Sequence, residues 1–152
     1  MAIRQKLNDD IKTAMLSGDK LKVETLRGLK TVMLYADVAA GKRDTGGIAD
    51  DVIVGLFARE VKKRQESADL YVRGGSQERA DKELAEKAII ETYLPTQLGE
   101  AELTQIVQDV IAEQKAEGSQ AMGKVIGVVK SKVGNSADGS AIARIVKEQL
   151  QI

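Results

Sequence analysis

Apolar residues recur every three to four positions along nearly the whole chain, and no stretch of four to eight residues alternates apolar with polar as a half-buried strand requires. The pattern predicts an all-α protein. Ile3, Leu7, Ile11, Ala14 and Met15 share one face of a first helix from Ile3 to Ser17, with Gly18 to end it and Asp19 to cap the next. A second helix carries Leu21, Leu26, Leu29, Val32, Met33 and Ala36 and closes near Gly41, before a polar turn, Lys42 to Gly47, expected to be mobile. Ile53, Val54, Phe57, Val61, Ala68, Tyr71 and Val72 line a long third helix over about residues 48–72, weakened locally by Gly55 and broken by Gly74, Gly75 and Ser76. A fourth helix through Leu84, Ala88, Ile89 and Tyr93 must stop before Pro95, because proline disfavours helical geometry in the residue before it.

Three further helices follow. Leu103, Ile106, Val107, Val110 and Ile111 form the stripe of a fifth helix stopping at Gly118, with Ser119 placed to cap the sixth. Met122, Val125, Ile126, Val129 and Val133 line that sixth helix. After the turn Gly134 to Ser140, Ser136 or Asp138 can cap a seventh helix bearing Ile142, Ile145, Val146 and Leu150. The expected organisation is two helical domains: residues 1–94 with about four helices, and residues 95–152 with three, the boundary lying between Tyr93 and Gly99.

Composition narrows the chemistry. The chain has no His and no Cys, which removes thiolate nucleophiles, imidazole bases, zinc fingers, His- or Cys-bound zinc centres and disulfides. With no Trp, one Phe and three Tyr, it lacks the aromatic supply of a stacking platform for single-stranded nucleic acid. Charge is balanced at 23 basic and 23 acidic residues, split 17 to 16 before Pro95 and 6 to 7 from there on, so neither part has a strongly basic footprint. No apolar run approaches the roughly 20 residues that cross a bilayer. Asp9 and Asp10 interrupt the opening segment before a secretory apolar core can develop, which makes the cytoplasm the default compartment.

Candidate sites are few. Gly118 to Val125 imitates the spacing of a phosphate-binding loop, but Val125 stands where a magnesium-ligating hydroxyl belongs and a helical segment precedes it instead of a strand. Gly123 and Gly127, four apart on the sixth helix, each give up roughly 1 kcal/mol of helix propensity relative to alanine. That cost implies a close approach, by another helix of the same domain or by a ligand or RNA backbone. Arg59, Lys62, Lys63 and Arg64 form the densest basic cluster. Glu60 precedes Arg64 by four, the favourable order for an ion pair, and Glu66 and Asp69 share the helix, so a solvated, salt-bridged face is expected in preference to phosphate contact. Asp9 with Asp10, and Asp50 with Asp51, diverge by about 100° on a helix and make poor catalytic dyads. The latter pair suits the positive end of a helix dipole. No catalytic set, metal site or cofactor site is expected.

Taken in order, Leu26 with Arg27, Val61 to Arg64 with Ser67, Tyr93, Leu94, Pro95, Gln97, Leu98, Met122 to Val125, and Ala137, Asp138, Gly139 resemble the GatB/YqeY family in its stand-alone YqeY-like form. The resemblance covers essentially the whole chain. It implies an all-α fold with a larger N-terminal helical part and a three-helix C-terminal part, similar to the tail of the glutamine-dependent tRNA amidotransferase B subunit. In that subunit the helical region handles tRNA, while the phosphorylation and amide-transfer chemistry lies in a catalytic domain that has no counterpart here. The implied role is a non-catalytic, tRNA-associated accessory module. The alternatives are a protein interaction adaptor and, last, a carbon–nitrogen ligase with glutamine as amido donor. Carried over by position, the motif residues are Gly123, Gly127, Ala137, Asp138 and Gly139. The cations nearest them, Lys124, Lys130 and Lys132, would contact tRNA, helped by Lys62 and Lys63. The chain departs from the family pattern at Ile126, where a second methionine is usual, and at Asn135 and Ser136, where a glycine and a basic residue are common; the lost cation weakens phosphate contact.

Overall fold

The computed structural model describes residues 2–152. Seven α-helices account for most of them: α1 (Ile3–Ser17), α2 (Lys20–Ala39), α3 (Asp50–Arg73), α4 (Gln77–Glu91), α5 (Glu100–Gln114), α6 (Met122–Val133) and α7 (Gly139–Leu150). Single turns of 3-10 helix, Ser119–Ala121 and Gly134–Ser136, flank α6, and there is no strand among the described residues. The all-α expectation holds. Contacts divide the chain into two compact units, one ending at Leu94 and the other beginning at Pro95.

In the first unit Leu7, Ile11, Leu26, Leu29, Met33, Ile48, Ile53, Phe57, Ile90 and Tyr93 form one buried cluster. Gly18, at φ 74°, ends α1, and the Asp19 carboxylate accepts the Lys22 N–H at 3.1 Å to start α2. These two neighbours make the tight turn that lays α2 back against α1. Asp50 and Asp51 occupy the first turn of α3 as the dipole argument requires. Small residues on both sides, Ala68 and Ala80, let α3 and α4 approach closely, and both are fully buried.

Several apolar positions are not where periodicity puts them. Met15, Val72, Leu84 and Ala88 are exposed. In α4 the reason is electrostatic. Ala80 and Ile90 mark its buried face, and between them Glu86 and Lys87 turn inward, Glu86 facing Arg64 at 3.6 Å and Lys87 donating to Gln65 at 2.8 Å. A polar inward face pushes Leu84 and Ala88 outward. The Lys42 to Gly47 turn, expected to be mobile, is tied at its end: the buried Asp37 carboxylate accepts the Ile48 N–H at 2.8 Å and both Arg4 Nη groups at 2.8 and 2.9 Å.

In the second unit Leu103, Val107, Val110, Val125, Val129, Val133, Ile142, Ile145 and Val146 form the core. Apart from Leu103 this set is β-branched, which lowers intrinsic helix propensity, so the three helices depend on mutual packing more than on local preference. α5 ends at Lys115 in the left-handed conformation, φ 49°, three residues before the glycine expected to stop it. Ser119 caps nothing: it opens the 3-10 turn, and α6 begins at Met122 without a side-chain cap. Asp138 does take the N-cap position of α7, but its carboxylate accepts the Ser140 hydroxyl and makes no capping bond to the backbone.

Candidate nucleic-acid interface

The buried edge of α6, Val125, Val129 and Val133, fixes which residues look outward. Gly123, Lys124, Gly127, Lys130, Ser131 and Lys132 are all exposed. A Cβ built on Gly123 or Gly127 meets no atom within 4 Å. The expectation that a neighbouring helix packs against this bare backbone is therefore wrong, since the α6 core contacts are made from the opposite side by its valines. Two adjacent turns present a smooth stripe of main chain to solvent, continued by Ser131, whose hydroxyl donates to the Gly127 carbonyl at 3.1 Å.

The three lysines do not gather at one point. At 100° per residue, Lys132 lies about 80° from Lys124, and Lys130 about 120° from it on the other side. Lys130 and Lys124 rim the glycine stripe on its two sides, while Lys132 lies about 140–180° round the helix from the glycines. Lys132 leans toward α5, its ammonium 3.3 Å from the Glu113 carboxylate. Lys130 leans toward α7, where its side chain would lie 3.6 Å from a Cβ on Gly139. Lys124 stands between them beside the glycines.

The remaining motif residues hold this unit together. Ala137 is half-buried and extended, at φ −145° and ψ 145°, and Gly139 is the first residue of α7. Next to them the Leu98 N–H donates to the Ser136 carbonyl at 2.8 Å and Gln97 Nε2 donates to Asn135 O at 2.9 Å. These bonds join the segment after Pro95 to the turn before α7. Together with Ala141, Arg144 and Ile145 they border a cleft of about 210 Å³. Arg144 there is paired with Glu100 at 2.8 Å and Glu148 at 3.3 Å.

Lys62 and Lys63 are exposed on α3, in the other unit. The solvated salt-bridged face expected around them holds only in part. The Glu60–Arg64 pair forms at 2.9 Å, but Glu60 is buried and Arg64 continues inward to Glu86, so this one member of the cluster belongs to the α3–α4 interface while Arg59, Lys62 and Lys63 stay exposed. Lys63 reaches Glu60 at 3.7 Å from outside. Asp9 and Asp10 diverge as expected, Asp9 accepting from Gln5 and Asp10 from Lys6.

Sequence reasoning missed two clusters. The Tyr93 hydroxyl donates a hydrogen bond to Asp10 while Lys6 lies 3.9 Å above the Tyr93 ring, and the ring meets Phe57 edge-on at 5.9 Å. Burial and the Asp10 carboxylate push the Tyr93 hydroxyl well above its usual range, so it stays protonated. Burial pushes Asp10 up, but the bonds from Tyr93 and Lys6 outweigh it and hold the carboxyl below its ordinary value. This clasp fixes the last turn before Pro95. The second cluster is Arg4 with Asp37. Neither leaves a local signal, because the partners are 83 and 33 residues apart.

Among the described residues no three carboxylates gather as a metal site, and no helix is long and apolar enough to cross a membrane. Gly118, at φ 75°, opens a 3-10 turn, so the loop-like spacing around it lacks the strand that a phosphate loop needs.

The chain is 25% identical over 147 residues to the protein named "Altered inheritance of mitochondria protein 41, mitochondrial" of Pyrenophora tritici-repentis, spanning 94% of this chain and 78% of that one. Its namesake in Kluyveromyces lactis is 26% identical over 129 residues, 83% and 68% of the two chains. That of Vanderwaltozyma polyspora is 30% identical over 88 residues, 58% and 46%. All three names carry the mitochondrion, which overturns the default of the cytoplasm drawn from the opening segment. The ordered motifs that suggested a family are matched as a whole over residues 4–150, and the chain belongs to the Yqey-like protein family.

Proposed function

We propose that the chain is a non-catalytic accessory module that docks folded tRNA against the outward face of α6, in the manner of the amidotransferase B-subunit tail it resembles. One observation carries the reading. Gly123 and Gly127 cost roughly 1 kcal/mol each in helix propensity and nothing inside the chain occupies the space they leave. A phosphate backbone is a ligand that gains from such a surface, because it can approach main chain closely while lysines on either rim neutralise it. Lys124 and Lys130 supply those rims, and Lys132, turned toward Glu113, adds charge from farther round the helix. A chain without Cys or His has no thiolate to release ammonia from glutamine and no imidazole to activate a hydroxyl, which supports the non-catalytic reading.

Titration of total tRNA at several salt concentrations tests this. Three phosphate contacts give a log–log salt slope of about −2.7 on the duplex value of −0.9 per phosphate. Charge reversal at Lys124 and Lys130 should flatten it toward about −0.9 without lowering the melting temperature. Gly123→Ala with Gly127→Ala should raise the melting temperature, since the sites are open, and yet weaken tRNA binding. Unchanged affinity in both variants, or no binding by the parent chain at low salt, refutes the reading.

A further inference from the structure

The C-terminal half of α2 has an outward face that no residue of its own unit covers. Leu34, Tyr35 and Val38 are 45%, 74% and 58% exposed. At 100° per residue they fall within an arc of about 100°, the width of the stripe one helix offers another. Met15 of α1, 53% exposed, touches the Arg27 guanidinium at 3.6 Å and extends the apolar surface beyond it. Cations bracket the stripe along the helix axis. Arg27 and the half-buried Lys30 stand before it, and Lys42 and Arg43 stand in the turn beyond it. From Arg27 to Arg43 the sole carboxylate is Asp37, which is buried and bound by Arg4; exposed Glu24 and Asp44 lie outside that stretch. A chain of zero net charge thus sets four cations around three exposed apolar side chains with no surface acid between them.

We propose that this face docks an amphipathic helix of a partner protein, apolar along its middle and carrying carboxylates at both ends. The twelve steps from Arg27 to Ala39 rise about 18 Å, so a partner helix of about three and a half turns brings its acidic ends opposite the two cationic groups. The apolar centre gives affinity and the bracketing charges give register and direction. The stripe is too narrow for a bilayer, which rewards a broad cationic field, whereas charge over the whole chain is balanced. Tyr35 offers a single ring, short of the run of stacking planes that single-stranded RNA uses, and Leu34 and Val38 beside it offer neither ring nor donor. The surface is independent of the α6 face and does not rest on the tRNA reading.

The test is fluorescence anisotropy of a labelled 15-residue synthetic helix with a leucine and alanine stripe and glutamates at both ends, titrated with the full chain. Saturable binding is expected, weakened at least about tenfold by Val38→Glu and likewise by Lys42→Glu with Arg43→Glu. Melting temperature and tRNA affinity should not move in these variants, because the residues are exposed and lie outside the second unit. A scrambled peptide of the same composition should bind at least about tenfold more weakly. Four results overturn the proposal: no saturation by about 1 mM, the weak end of specific association; equal binding of the scrambled peptide; affinity indifferent to both variants; or a Val38-dependent preference for phosphatidylglycerol vesicles or for a second copy of this chain in sedimentation, with the peptide unbound.

Discussion

Gly47 stands where no side chain fits, and replacing it with alanine separates a backbone effect from an electrostatic one. Its φ of +84° is left-handed, and an added Cβ collides with the Arg4 guanidinium and comes within 2.9 Å of Asp37 Oδ1. The left-handed backbone costs alanine about 1–2 kcal/mol, partly offset by about 0.5 kcal/mol from a less disordered unfolded chain. The larger consequence is that Arg4 must swing away from a carboxylate that is buried. Removing a partner from a buried pair costs about 3–5 kcal/mol; because Asp37 keeps its bond from the Ile48 N–H, we take about 2–3 kcal/mol here. The sum is about 3–4 kcal/mol, or about 12–30 °C in melting temperature for a unit of this size. All three tyrosines, Tyr35, Tyr71 and Tyr93, lie in the unit ending at Leu94, so tyrosine near-ultraviolet circular dichroism follows that unit. In an Arg4→Ala background the collision with the guanidinium is gone, and Gly47→Ala should then cost only about 1 kcal/mol. Equal costs in the two backgrounds, or a drop under about 4 °C in the parent, would refute the reasoning.

Two carboxylates give opposite responses to pH. Hydrogen bonds from Arg4 outweigh burial and hold Asp37 below its ordinary 3.8, so its contribution to stability is present above that value and lost as pH falls through the lower folded one. Asp37→Asn should flatten the acid limb of the stability curve below about pH 4; an unchanged limb refutes the assignment. Burial, with Glu83 beside it, pushes Glu86 up, so whatever stability it contributes is full below its unfolded value and lost as pH rises. Glu86→Gln should raise the melting temperature near neutral pH and change little near about pH 4. A fall at neutral pH would mean that the 3.6 Å contact with Arg64 outweighs the burial.

Helix ends were legible where a single residue type decides the geometry. Gly18 takes the left-handed turn and Asp19 supplies the cap, so the end of α1 and the start of α2 followed from local chemistry, whereas α4, expected to run through Tyr93 up to Pro95, already ends at Glu91. The end of α5 was not, because Lys115 adopts the left-handed conformation at a strain cost that no local rule assigns to lysine. Faces were legible where apolar residues alone fill them. In α4 the inward face is built from Glu86 and Lys87 answering Arg64 and Gln65, and a hydrophobic pattern then points to the wrong side. At the candidate site the sequence identified Gly123, Gly127 and their lysines, but whether the glycines face a helix or water depends on the rotation of α6, which Val125, Val129 and Val133 set only once α5 and α7 are in place.

A charge tally over a chain is blind to which charges cancel each other, so balanced composition says little about the local field at either candidate surface. From Pro95 onward six cations face seven acids, which reads as no electrostatic footprint. Yet Glu100 and Glu148 converge on the single Arg144, and Glu113 answers Lys132, so acids are consumed in pairs at the edges of the helices while Lys124 stays exposed beside bare main chain. On α2 the same process is clearer: Asp37 is withdrawn into the interior by Arg4, and the surface left behind is cationic although the segment itself was not exclusively so. Local potential falls off over about 10 Å at ordinary salt, which is shorter than either unit, so a ligand responds to what pairing leaves uncovered within that radius and not to the sum. Pairing an acid of one segment with a cation of another therefore redistributes charge without changing the sum, and it is the buried carboxylate, read together with its partner, that marks where a neutral protein turns a charged face outward.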